Sequence, residues 1–136
     1  MKLTRRQLAA LIPALAAAQT TPAPAPQVLG SNFYPFDSLT LKGKSRSILN
    51  GLTHENFPIE AHVTDLQPGE MPHPAHHHAH EELILFMQGQ VDVTIAGKTA
   101  TLGPGSSCLF GSGDEHGMKN NGTVMARYFV VAFGKG

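Results

Sequence analysis

After Gln19 the chain offers no stretch of ten residues that would make an amphipathic helix. It offers short extended runs, each cut off by glycine, proline or asparagine. Arg46 to Leu49 meets Asn50-Gly51, a strong hairpin-turn signal, and is expected to end there. From Phe57 to Leu66 the apolar Phe57, Ile59, Ala61 and Val63 alternate with Pro58, Glu60, His62 and Thr64, which is strand periodicity, and Pro68-Gly69 closes the run. Glu82 to Gln88 runs into Gly89. Val91, Val93 and Ile95 alternate with Asp92 and Thr94, and Ala96-Gly97-Lys98 turns the chain back into Thr99 to Leu102, the clearest hairpin in the sequence. Ser106 to Phe110, His116 to Lys119 and Thr123 to Phe133 complete a set of eight or nine strands. Such a set implies an all-β sandwich or barrel, in which strands distant in sequence face one another across a cavity.

One run stands out chemically: His76-His77-His78-Ala79-His80-Glu81-Glu82. Pro72 and Pro74 lie just upstream and disfavour a helix through themselves and their predecessors, so the segment is expected to be extended. In a strand, side chains two apart share a face. His76, His78 and Glu82 then point one way, and His77 and Glu81 the other. On a helix His76 and His78 would stand roughly 200° apart, which makes no site. With His116 supplied by a later strand, His76, His78, Glu82 and His116 are read as four ligands of one divalent metal. Imidazoles with one carboxylate suit iron, manganese, nickel, copper or zinc. Taken alone, the tract fits a specific site and a solvated loop that holds metal loosely equally well. Glu81 is the weaker alternative to Glu82. His54, His73 and His77 are expected on the surface.

The amino terminus reads as an address. Lys2, Arg5 and Arg6 form a basic region, Leu8 to Leu15 a short apolar one, and Ala16-Ala17-Ala18 supplies small residues for cleavage before Gln19. The apolar run is too short for a stable bilayer-spanning helix. Thr4-Arg5-Arg6-Gln7-Leu8 resembles the twin-arginine export motif, with Ala9 where many such signals carry a second large apolar residue; the alternative is a general secretory signal. Residues 1–19 are therefore expected to be an export signal, residues 20–29 a Pro/Ala-rich tether that cannot pack a core, and residues 30–136 the folded domain, so that the protein is expected to be exported and periplasmic.

About 105 residues remain, enough for one domain with its own core. A single cysteine, Cys108, excludes an internal disulfide framework, and its apolar neighbours Leu109 and Phe110 make it a packing residue rather than a nucleophile. The formal net charge is +0, with no basic patch beyond the signal, which argues against a nucleic-acid partner. Nothing beyond the signal suggests stable membrane insertion.

These residues resemble the cupin family. Its first motif runs glycine, five residues, His-x-His, three or four residues, Glu, six residues, glycine. His76-x-His78, Glu82 and Gly89 match, while Gly69 stands one residue too far from His76. In the second motif Gly105, Gly111-Ser112-Gly113, His116 and Asn120 fall in register, with Gly111 in place of a proline. The resemblance covers about Phe36 to Phe133. It implies a single jelly-roll domain, a double-stranded β-helix barrel, with His76, His78, Glu82 and His116 as the metal ligands. Asn120 is expected to bridge strand ends rather than take part in chemistry.

Cupins include dioxygenases, isomerases, lyases, decarboxylases and non-catalytic binding or storage proteins, so the fold does not choose the function. Three neutral imidazoles and one carboxylate leave a divalent ion a net charge of about +1 and room for water or substrate, whereas zinc in the same set can be four-coordinate and closed. The first expectation is a small metal-dependent enzyme, dioxygenase-like or otherwise metal-assisted, acting on a small oxygenated or aromatic compound. The alternative is a metal or small-ligand binding protein without turnover. Candidate pocket residues for proton transfer are Glu60, His62 and Tyr128, with His80 on the ligand face. Against these roles, Glu60 and His62 fit a solvent-facing polar row and Tyr128 fits a cap on the core. A homodimer is expected by resemblance alone.

Overall fold

The computed structural model describes residues 25–135; the expected export signal and the first residues of the tether lie outside them. Among the described residues the helical content is one short 3-10 turn, Phe36–Ser38. No helix among them is long and apolar enough to cross a membrane.

The strands are β1 (Leu41–Lys42), β2 (Ser45–Leu52), β3 (Pro58–Leu66), β4 (Glu81–Gln88), β5 (Val91–Ile95), β6 (Lys98–Leu102), β7 (Ser107–Phe110), β8 (His116–Lys119) and β9 (Ala126–Phe133). They form a six-stranded sheet in the order β1-β2-β3-β9-β4-β7 and a three-stranded sheet in the order β6-β5-β8. All pairings between strands are antiparallel. The sheets enclose one core in which Leu66, Ile84 and Phe86 of the larger sheet meet Val91, Val93 and Met118 of the smaller. Burial of such side chains supplies the main driving force for the fold.

The β5–β6 hairpin has the expected form. Ala96 (φ 46°) and Gly97 (φ 78°) both take positive φ, the two-residue turn whose twist matches that of its strands.

The Asn50-Gly51 turn is not there. β2 continues through both residues to Leu52, and the reversal comes at Thr53 to Phe57, where Thr53 N donates to Phe57 O at 2.9 Å. Gly51 has a different use. Leu52 N donates to Gln27 O at 2.9 Å and Leu29 N to Leu52 O at 2.8 Å, bringing the incoming chain against β2. A Cβ on Gly51 would lie 2.5 Å from Gln27 O. Gly51 is thus required by close approach, and Gln27 to Leu29, at the end of the expected tether, pack on the folded domain.

β3 also differs from the simple alternation. Register pairs Glu60 with Ala132, His62 with Val130 and Thr64 with Tyr128. β4 meets those same β9 residues with Glu82, Ile84 and Phe86. Cross-strand partners share a face, so the polar row Glu60, His62, Thr64 lies on the interior face with Glu82 and Tyr128. The row runs from solvent inward: the Glu60 side chain is 44% exposed at the barrel mouth, His62 is half-buried and Thr64 is buried. Ala61 and Val63, on the opposite face, are buried as well.

Asn120 joins the loops at one end of the barrel. Fully buried, its side-chain amide donates to Leu66 O at 2.8 Å and Val124 O at 2.9 Å, and its Oδ1 accepts from Gly122 N at 2.9 Å. The expected bridging role is what these bonds perform.

Candidate metal centre

The His-rich segment reaches its place through one backbone bridge. His76 N donates to His116 O at 3.0 Å and His116 N to His76 O at 2.8 Å, fastening the segment to the first residue of β8. Behind it Gly117 meets Ala75: a Cβ on Gly117 would lie 3.1 Å from that of Ala75. The segment is extended at His76 but is not the unbroken strand expected from His76 to Glu82. It bends at Ala79 and His80, and β4 begins at Glu81. Upstream of His76, Pro72 and Pro74 lack the N–H that would extend the pairing toward the amino terminus. His77 is exposed, while His76, His78 and Glu82 are half-buried and His116 is 1% exposed.

His76, His78 and His116 converge. Their ring centroids are separated by 5.1 Å (His76–His78), 4.8 Å (His76–His116) and 4.6 Å (His78–His116), and one nitrogen from each ring falls within 4.8 Å of the others. Glu82 enters this group beside His78, its Oε2 lying 3.7 Å from His78 Nε2. A second, overlapping trio is His78, His80 and Glu82.

Hydrogen bonding aims the nitrogens. His78 Nδ1 donates to His80 O at 2.8 Å and His116 Nδ1 to Asp114 O at 2.9 Å. Each bond places the proton on Nδ1 and leaves the Nε2 lone pair for another partner. Yet His78 Nε2, His116 Nε2 and His76 Nδ1 are buried with no hydrogen-bond partner among the described residues. Buried polar atoms ordinarily have partners, because leaving one bare costs about 1–3 kcal/mol. Three such atoms at one place fit a bound divalent ion. Burial, followed by the nearby His73, His116 and His78, pushes the His76 imidazole below its ordinary pKa, against a smaller opposing pull from Glu82. A lowered value favours the neutral ring that a metal requires. Phe110 stacks on His116 at 4.1 Å and supplies an apolar wall.

Beside the centre lies a partly open cavity of about 180 Å³, lined within by Glu82, His62, Thr64, Tyr128, Ile84 and Met118 and at its rim by Lys44 and His73. His62 and Tyr128 therefore share a cavity with Glu82. Glu60 and His80 instead line a separate cleft of about 180 Å³ at the barrel mouth, floored by Ala132. The two spaces are connected through a hydrogen bond from His62 Nδ1 to Glu60 Oε1 at 3.1 Å. Burial pushes the Tyr128 hydroxyl far above its ordinary pKa, so it stays protonated. Burial likewise pushes the Cys108 thiol up to about 11, in keeping with a packing residue.

Sequence reasoning missed two contributors. His73, placed on the surface, sets its ring edge-on against His76 at 4.2 Å while remaining exposed. Thr64 stands in the cavity wall, bonded to Ser45 at 2.8 Å. Its even offset from His62 was the available signal; which face of β3 turns inward was not.

A protein-family model described as the cupin domain matches residues 62–132, which span the His-rich segment, His116 and most of the candidate pocket. No curated protein sequence matches the chain. Among solved structures, the Cnp3 cupin domain of Schizosaccharomyces pombe is similar at 17% identity and TM-score 0.64, over 76% of this chain and 74% of that one. A predicted oxalate decarboxylase from Thermotoga maritima is similar at 18% identity and TM-score 0.64, over 76% of this chain and 100% of that one. A sugar phosphate isomerase of the cupin superfamily from Silicibacter pomeroyi is similar at 16% identity and TM-score 0.61, over 76% of both chains. At these identities the likeness is one of fold.

Proposed function

From the premise that this chain belongs to the cupin domain family, we propose that it is a metal-dependent enzyme of the cell envelope acting on a small oxygenated substrate. Its ion would be held by His76, His78, His116 and Glu82. The observation that carries this reading is the convergence of three buried, unpartnered ring nitrogens beside a carboxylate and a partly open cavity. A bound divalent ion supplies a Lewis acid that polarises a substrate oxygen.

The rest falls to the chain's own side chains. A cavity of about 180 Å³ admits only a small molecule. Ile84 and Met118 give it an apolar side, and Thr64 and Tyr128 offer hydroxyls for orientation. Glu60 accepts the proton of His62 Nδ1 and so leaves Nε2 as the atom able to take or return a proton. The envelope location is supported by the basic and apolar character of residues 1–19.

Metal analysis of the untagged, chelator-free protein, with oxygen uptake screened on the same sample, tests the proposal. About one iron, manganese, nickel or copper per chain is the expected result. Zinc alone without turnover, after reconstitution with the other metals, would favour a closed binding site instead. Once a substrate is in hand, His62→Gln is expected to lower kcat by about 100-fold or more at unchanged metal content. A variant with full turnover would remove His62 from the chemistry.

A further inference from the structure

We infer that His80 is a positioning residue of the metal centre and not one of its ligands, an inference that rests on the function proposed above. By spacing alone His80 is as good a ligand as its neighbours, since it continues the even offsets of His76 and His78 and belongs to the second trio with His78 and Glu82. Ring geometry separates it from them. An imidazole directs its nitrogen lone pair within the plane of the ring. The rings of His76, His78 and His116 are inclined to one another by 64°, 59° and 68°, so their planes intersect and can share a point. The His80 ring lies flat on His78, centroids 3.7 Å apart and planes within 6°. Lone pairs confined to two stacked, parallel planes have no common target, and one ion cannot lie in both.

His80 instead meets the ligands in three ways. Its carbonyl oxygen accepts the His78 Nδ1 proton at 2.8 Å and fixes that tautomer. Its stacked ring fixes the plane in which His78 points. Its Nε2 faces Glu82 Oε1 at 3.5 Å, without a formed hydrogen bond, while Oε2 faces His78. The two histidines thus stand against different oxygens of Glu82, Oε1 beside His80 and Oε2 beside His78. With its side chain 33% exposed at the barrel mouth, His80 can be replaced without opening a hole in the core.

The test uses the full chain and Cu²⁺ as probe, added below one equivalent so that the tightest site fills first. Affinity is measured by competition titration, and coordinated imidazoles are counted by pulsed electron paramagnetic resonance. The proteins are wild type, His116→Ala, His80→Ala, His80→Phe (which keeps a stacking ring) and His80→Gln (which keeps a donor). The expected result is an unchanged imidazole count in all three His80 variants. Affinity should fall about 10- to 100-fold in His80→Ala, as for other residues that support metal ligands, and less in His80→Phe or His80→Gln. An imidazole count lower by one in the His80 variants would make His80 a ligand and overturn the inference. So would affinities within about twofold of wild type in all three. Wild type that takes up no Cu²⁺, or His116→Ala that binds it as tightly as wild type, would instead remove the proposed metal centre itself. Neither of those outcomes involves residue 80, so the two failures are distinguishable.

Discussion

On the outer face of the six-stranded sheet, Asp65 accepts hydrogen bonds from Arg46 Nη1 at 2.7 Å and from Arg127 Nε and Nη2 at 2.6 and 2.9 Å. The guanidinium carbons of both arginines sit over the Phe36 ring, at 4.9 and 4.5 Å from its centroid. The candidate metal centre also gathers ionisable side chains from distant stretches, yet three of its buried nitrogens have no partner among the described residues. In the first cluster both carboxylate oxygens are occupied, and the aromatic ring draws the Phe36 turn onto the sheet. Such a cluster has spent its bonding capacity inside the protein and serves the fold. In the second, the protein bears the cost of bare donors and acceptors, and they converge on one place. Unsatisfied and convergent is the signature of a site; satisfied and bidentate is that of a clamp.

The strongest way to break this contrast is to remove a ring from the centre. His116→Ala or His76→Ala should lower metal affinity at least about 100-fold, roughly 2.7 kcal/mol, while the β-sheet signal in circular dichroism persists. Stoichiometric metal retained in both variants would mean the convergent nitrogens are not the ligands. The converse operation is Asp65→Asn, which should leave metal affinity unchanged and cost about 2 kcal/mol in urea unfolding, because two partly buried guanidiniums lose a charged partner. A metal defect in that variant would show that the two regions are coupled.

The same residue sharpens the contrast through pH. Hydrogen bonding from Arg127, with a further contribution from Arg46 and against an opposing effect of burial, holds the Asp65 carboxyl below its ordinary value of 3.8. A depressed folded-state pKa stabilises the protein above the unfolded value, and the stabilisation is lost as pH falls through the folded one. The stability gap between wild type and Asp65→Asn should therefore be full at pH 6 and narrow below about pH 4. A gap independent of pH down to 2 would refute the assignment. The smallest effect is expected at His77, which is exposed beside the centre and points away. His77→Ala should change metal affinity by less than about twofold, and a loss like that of His78→Ala would mean that the facing of the segment is misread.

Much of this was legible residue by residue. The hairpin at Ala96-Gly97 could be read because turn chemistry is local, and β8 could be read to its ends, His116–Lys119. The facing of His76 and His78 could be read because two-residue periodicity is a property of the chain itself. Asn50-Gly51 misled for a physical reason. A glycine that admits a turn is indistinguishable in sequence from one that admits a neighbouring backbone, and at Gly51 the neighbour is Gln27. His80 was undecidable for a similar reason, since spacing sets which side a ring is on but not the plane in which it lies.

The sequence by itself determined the β architecture and the donor chemistry of the His-rich segment, because these follow from periodicity, turn residues and side-chain type over a few positions. Tertiary structure alone decided which face of β3 looks inward, carrying His62 and Thr64 into the barrel with Tyr128 and Glu60 to its mouth, because that depends on register with β9 some seventy residues later. It also decided that His116 meets His76, that His80 lies flat on His78, and that Glu82 turns one oxygen to each of two histidines. Those are angles and distances between groups whose relative placement no local rule of the chain constrains.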